Sequence, residues 1–473
     1  MRSLHVQLAA FVTVLGVAAG CSSAADDPTS GDSAIRELER RAVGKAQPYA
    51  AETYTDDDAA RFASSKKARR ELGWHVLEKL LQPVSIAAGQ NVDSGGANTI
   101  PLFRTWLGGD ELDRMFAKMY GDLGKDRRLA HDLPTDQEMS ALFDWNATSL
   151  GQNSEAGYFA RLAQVNDPEA VDGLAGNPRT AYSPGYVRQY LGDYPTIAGC
   201  DGKTSSFTFQ TPPNSDTNFT DCFSHEMAAD AAVVKASWRR NDALVTDGLP
   251  VQDTSAATLK ARLDGTLDNG GWPQKGQPMV QAGTSDVYTI QLSGGEKYSL
   301  VGLHIITKEL RHWVWTTIWW SPNGDEDFGQ DRPDSIKQLG GPWKNYKMCI
   351  VTDFDEKDPD PRGGFDGSLG DALEAVHGPQ TWCSNSFIEK GDHNAQTNCI
   401  GCHQHAGDVT SFDKVLKDSD NYPNSGRTKV RQSFPSDYSW AFATPDSPDQ
   451  KDRLLRTVVT RMKSYTHQDG AGP

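Results

Sequence analysis

Three features are scarce in this chain. Beyond the first twenty residues it has no apolar run long enough to cross a bilayer, it has no internal repeat, and only 7 of its 473 residues are cysteine. Lys and Arg number 47 against 63 Asp and Glu, giving a formal charge of −16. That acidity argues against nucleic-acid binding and against docking on anionic lipid head groups. The hydrophobic fraction of 37% and 12 Trp are enough for a large core, and the length suggests two or three domains.

The N-terminus has the organisation of a signal peptide. Arg2 is the only fixed charge in its first twenty residues, and an apolar run at 8–19 is followed by Gly20 and Cys21. Such a run fits the roughly 7–15 residues of a signal sequence and falls short of the ~20 needed to span a bilayer. We therefore predict that residues 1–20 are removed on export, which takes Arg2 with them and shifts the charge from −16 to −17.

Residues 15–21, Leu-Gly-Val-Ala-Ala-Gly-Cys, resemble the lipobox of bacterial lipoproteins, although Ala18 stands where that family most often has Leu. The resemblance implies lipidation of Cys21, followed by a flexible tether at 21–57 whose first part is small and polar. The expected location is the periplasm, the outer membrane or the cell surface, with membrane contact through the lipid only. An ordinary secreted protein, cleaved nearby, is the alternative.

Four further cysteines, Cys200, Cys222, Cys349 and Cys383, remain after those of the N-terminus and of the motif described next. In an oxidising compartment they suggest two disulfides, and pairing of neighbours would join Cys200 to Cys222 and Cys349 to Cys383. Four cysteines allow three connectivities, and the sequence does not choose among them. A zinc site is the weaker alternative, because these four lack the close spacing of structural zinc ligands.

Residues 397–403, Thr-Asn-Cys-Ile-Gly-Cys-His, contain Cys-x-x-Cys-His. This motif resembles the haem-attachment site of c-type cytochromes, which implies one covalent haem c per chain. Thioethers would form at Cys399 and Cys402, about one helical turn apart, and His403 would be an axial ligand of the iron. A thioredoxin-like thiol pair is the alternative, but no βαβ pattern surrounds the motif.

The ligand on the other side of the iron is open. Met462 is the one methionine after the motif, but it lies on an apolar stripe at helical spacing, where a methionine usually packs in a core. Histidines elsewhere offer further candidates, none of which stands out: His304, His312, His377, His393 and His467. A five-coordinate iron is the remaining alternative, and it would leave room for a small ligand.

The overall pattern predicts an α+β fold. A helical N-terminal part precedes a β-rich centre with antiparallel hairpins, and a mainly helical or loop segment carries the motif. We place a scaffold at 58–335 and a cytochrome c-like haem-binding region at 336–473. The clearest helix ends near Gln82, and the clearest hairpin joins 287–292 to 297–306.

A strand at 313–320 would place Trp313, Trp315 and Trp319 on one face. Burial in the core is the favoured role for these rings; packing against a porphyrin and binding a sugar are alternatives. Segments 106–112 and 303–310 also resemble parts of uncharacterised bacterial proteins with one such motif near the C-terminus. No known activity comes with that resemblance.

Taken together, the resemblances favour an exported monohaem cytochrome that transfers electrons over a haem enzyme. Its partner would be a redox protein, favoured if basic, or a small electron donor or acceptor. The first alternative is a haem enzyme, with peroxidase-like activity, or a small-ligand sensor with an open iron site. The second is a glycan- or protein-binding module with an accessory haem.

Overall fold

The computed structural model of the protein describes residues 46–86, 93, 99–108, 155, 158–159, 178–189, 227–242, 248–263, 265–273, 275–311, 313–352, 383–389, 394–396, 399 and 403. The helices are α1 (Asp56–Ser64), α2 (Lys66–Leu81), α3 (Ala256–Leu263) and α4 (Asp334–Gln338). The strands are β1 (Pro83–Ser85), β2 (Thr99–Pro101), β3 (Leu107–Gly108), β4 (Arg179–Tyr182), β5 (Ala232–Arg240), β6 (Leu249–Pro250), β7 (Met279–Val280), β8 (Thr289–Gln291), β9 (Lys297–Thr307), β10 (Val314–Trp320) and β11 (Tyr346–Thr352). Short 3₁₀ turns lie at Leu102–Thr105, Asp268–Gly270, Asp327–Gly329, Gly341–Asn345 and Asn394–Gln396.

The first two helices follow from local signals. Thr55 caps α1 through a capping box with Asp58, and the hydroxyl of Ser65 accepts from the Ala68 N–H at the start of α2. Helix α2 ends at Leu81, two residues before Pro83, as a proline requires. The predicted helix ending near Gln82 is therefore confirmed.

The centre of the molecule is an antiparallel sheet of seven strands in the order β11-β10-β9-β5-β4-β3, with β8 paired to β9 beside β10. The predicted hairpin is confirmed as β8 and β9. An α+β fold with a β-rich central part is thus correct. The predicted helical or loop character of the C-terminal segment concerns residues that lie mostly outside the described ones.

The two faces of this sheet have different surroundings. Helix α2 packs on one face, where Gly73 lies so close to Met348 and Ile350 that a Cβ on Gly73 would be 2.9 Å from the Met348 sulfur. Side chains alternate along a strand, so Cys349, which lies between Met348 and Ile350, faces the other side of the sheet. That second side, which we call the His304 face, carries Tyr182, Val233, Lys235, His304, Ile306, Trp315, Thr317, Trp319, Lys347, Cys349 and Val351.

The folded part extends past two boundaries expected from the sequence. Residues 46–49 fall in the stretch assigned to the tether, yet Tyr49 is 1% exposed and donates its hydroxyl to Glu309. Strand β11 follows the boundary placed at 335, yet it pairs with β10 along its whole length. In the described part of the chain no helix is long and apolar enough to cross a membrane.

Candidate functional site

Residues 383–389 cross the His304 face and are held to it at several points. A disulfide joins Cys383 to Cys349 on β11. The Asn385 amide donates to the Thr317 hydroxyl (2.7 Å) and to the Ile318 carbonyl (2.8 Å), both on β10. Gly302 allows this close approach, because a Cβ there would be 2.9 Å from the Asn385 oxygen. The segment is thus fixed in position by a disulfide to β11, by hydrogen bonds to β10 and by its close approach to Gly302 on β9.

The two described residues of the Cys-x-x-Cys-His motif lie on this same face. Cys399 and His403 both have helical backbone, and a spacing of four residues puts them on one side of a helix. The Cys399 sulfur is buried, 4.0 Å from the carbonyl oxygen of Cys383. The His403 ring centroid lies 4.6 Å from that of Trp315, at an interplanar angle of 50°. Cys402 lies outside the described residues.

Three ionisable side chains lie together at the His304 face: His304 and Lys235 belong to the sheet, and Glu389 belongs to the segment 383–389. His304 lies on the central strand β9, directly opposite Lys235 on one side and Thr317 on the other. Its Nε2 is buried and has no hydrogen-bond partner, and the nearest carboxylate oxygen, Glu389 Oε2, is 3.8 Å away. That distance is too long for a hydrogen bond.

Burial shifts the pKa values of all three side chains, His304, Lys235 and Glu389. It lowers the pKa of His304 well below its usual value, and the nearby charges of Lys235 and His403 lower it further. Burial also lowers the pKa of Lys235, although Glu389 acts in the opposite direction. Burial raises the pKa of Glu389 to about 7, against the opposing effects of hydrogen bonds from Asn385 and Ser384 and the charge of Lys235. His304 is therefore neutral near pH 7.

We expect replacement of Glu389 by glutamine to stabilise the protein increasingly as pH rises. The folded carboxyl ionises near pH 7, whereas in the unfolded chain it ionises near its ordinary value of 4.5. Stability from the neutral carboxyl is therefore fully present below pH 4.5 and is lost as pH rises through about 7. Glutamine does not titrate, so the advantage of the variant should grow by on the order of 2–3 kcal/mol. Urea denaturation at about pH 4 and pH 8 measures it; a difference independent of pH would contradict this.

The tryptophans of β10 are core residues. Trp315 and Trp319 share the His304 face, and Val314, Ile318 and Trp320 lie opposite, as the alternation predicts. Trp313 precedes the strand, with a positive φ of 66°, and its ring centroid is 6.4 Å from that of Trp315. All four tryptophans are 1% exposed. Their faces are consequently not open as a surface platform for a sugar.

The structure brings together five of the residues singled out from sequence, Cys349, Cys383, Cys399, His403 and His304. The others lie outside the described residues: Cys21, Cys200, Cys222, His312, His377, His393, Cys402, Met462 and His467. Sequence reasoning did not find Lys235, Asn385 or Glu389. Within the described ranges, no group of three or more His, Cys, Asp or Glu side chains is placed to hold a metal ion.

Comparison of the chain with protein-family models, with curated proteins and with solved structures gives no match.

Proposed function

We propose that the protein is an exported monohaem c-type cytochrome that transfers electrons at the periplasmic or outer surface. One haem c per chain would be attached at Cys399 and Cys402, with His403 as an axial ligand of the iron. The observation that carries this proposal is the placement of Cys399 and His403 on one side of a helical backbone, against an aromatic residue of a rigid sheet.

The described residues fit such a group chemically. The disulfide beside the motif joins Cys349 to Cys383 and does not use the Cys399 sulfur, which a thioether bond to haem would need. Trp315 covers part of the His403 imidazole, and Ile306 and Val351 lie beside Trp315 on the same face. With haem bound, this apolar surface next to His403 would exclude water from the iron and influence its redox potential. When bound, haem iron supplies reversible one-electron chemistry.

The remaining parts of the proposal concern location and partners. A diacylglycerol on Cys21 would hold the folded part at a membrane surface without a spanning helix. The formal charge of −17 after removal of Arg2 favours encounter with a basic redox protein, since long-range attraction speeds association of opposite charges. A small electron donor or acceptor is the other class of partner.

The test is attachment of haem to the full-length protein made in cells that mature c-type cytochromes. We expect a c-type α-band in the pyridine haemochrome spectrum and haem that stays with the protein in acidified organic solvent. A Cys399→Ala, Cys402→Ala double variant should release any haem it retains into that solvent, and His403→Ala should lose normal iron ligation.

His405→Ala is the matched control for His403→Ala, because it removes a histidine two residues away that cannot reach the opposite side of the same iron. We expect its spectrum to match that of the unmodified protein. Absence of a c-type band from the unmodified protein would overturn the proposal. Covalent haem retained by the double cysteine variant would overturn the assignment of the attachment residues.

A further inference from the structure

We propose that His304 is the second axial ligand of the haem iron, on the side opposite to His403. The inference rests on the proposed haem c site and adds to it a residue from a distant strand, nearly one hundred positions before the motif. His304 and His403 are both neighbours of Trp315. His403 contacts its ring, and His304 is diagonal to it, opposite Thr317 in the pairing of β9 with β10.

The polar surroundings of His304 do not explain why a histidine stands there. A buried polar side chain is normally hydrogen-bonded, yet Nε2 of His304 has no partner and lies beyond hydrogen-bond distance from Glu389. Its neighbour along β9 on the same face, Ile306, is apolar and has no group that could bond the imidazole. An iron–nitrogen bond would satisfy the imidazole and account for its position.

The position of His304 in the sheet suits a ligand. Strand β9 is paired on both sides, by β5 and β10, so its backbone gives the imidazole a fixed position.

The methionine of the sheet is not an alternative within the described residues. Met348 lies on β11 on the opposite face and packs against Gly73 of α2. Of these two side chains of the central sheet, His304 is therefore the one on the face against which His403 packs. Met462, outside those residues, and Lys235 are the competing ligands that the experiment separates.

The experiment compares optical and electron paramagnetic resonance spectra of the purified full-length holoprotein with those of His304→Ala and His304→Met. We expect low-spin, six-coordinate iron that does not bind carbon monoxide in the unmodified protein. His304→Ala should become high-spin and bind carbon monoxide, and added imidazole should restore the low-spin spectrum. His304→Met should stay low-spin with a methionine-type charge-transfer band and a raised reduction potential.

His75→Ala is the matched control, because His75 lies on α2, 43% exposed in its side chain, on the other side of the sheet. Its spectra should be unchanged. Carbon monoxide binding by the unmodified protein, or a low-spin spectrum in His304→Ala, would overturn the inference. If the His304→Ala protein cannot be purified, the charge-transfer band and the reduction potential of His304→Met decide the question. A His304→Met spectrum like that of the unmodified protein would overturn the inference.

Failure of this inference and failure of the proposed function have different signatures. The pyridine haemochrome assay replaces both axial ligands, so it reports covalent haem whatever ligates the iron. No c-type band in the unmodified protein removes the proposed function. A c-type band together with a spin state that ignores His304 removes only the inference.

Discussion

Replacing Arg104 with alanine is expected to lower the free energy of unfolding by about 3–5 kcal/mol, as removal of one partner from a buried ion pair does. Arg104 is 1% exposed and Glu155 is 6% exposed. Two guanidinium nitrogens donate to the two carboxylate oxygens of Glu155, at 3.0 and 3.1 Å, and a third donates to the Tyr288 hydroxyl at 2.9 Å. Alanine would leave the Glu155 carboxylate buried without its counter-charge, in addition to the loss of packing.

Urea denaturation of the two proteins measures this difference, and Arg61→Ala is the matched control. Arg61 forms a comparable 3.0 Å contact with Asp58, but its side chain is 54% exposed, so its removal should cost no more than about 1 kcal/mol. Equal losses in the two variants would mean that burial does not determine the strength of the Arg104 pair.

Local elements of this fold could be predicted from the sequence because their signals are local. Helix α2 has a serine cap and a proline just beyond its end, and the hairpin of β8 and β9 has a glycine turn between two alternating runs. The alternation of β10 placed Trp315 and Trp319 on one face and Trp320 on the other. In each case a few consecutive residues decide the outcome.

The order of the strands could not be obtained in this way. Strand β5 lies between β9 and β4, and its pairing with β9 joins segments separated by many intervening residues. Such pairing depends on which faces can be buried together, and no short pattern records it. For the same reason the burial of Tyr49, whose hydroxyl bonds Glu309 far along the chain, was not visible in a stretch that reads as a polar tether.

The residues of the candidate site also fall into two sets, those that local spacing predicts and those that only the fold brings together. Spacing alone indicated Cys399, Cys402 and His403, because the attachment chemistry needs these residue types within one helical turn. The residues beneath them come from separate strands and from the segment after Cys383, so their convergence is a property of the fold. One signal was available for Lys235: it is a single charge inside the apolar run 231–238, and such a charge on a strand buried on both sides indicates a special environment.

Removing the disulfide by replacing both Cys349 and Cys383 with alanine is expected to lower the free energy of unfolding by about 4 kcal/mol, because the unfolded chain regains the entropy that a closed loop of 34 residues withholds. The effect should also reach the motif. Cys383 begins the segment held against β10 by Asn385, and its carbonyl oxygen lies 4.0 Å from the Cys399 sulfur. Loosening Cys383 therefore loosens the surface against which Cys399 packs.

Two measurements on this double variant separate the local effect from the global one. The urea midpoint reports stability, and the spectrum of the proposed haem-bound protein below the transition would report the surroundings of the iron. We expect a lower midpoint and, still in the folded range, a larger high-spin fraction than in the unmodified protein, because the distance between His304 on β9 and His403 is then less fixed. An unchanged midpoint would contradict the stabilising role of the disulfide. An unchanged spin state with a lowered midpoint would instead mean that Asn385 and Gly302 hold the segment in place without the bridge.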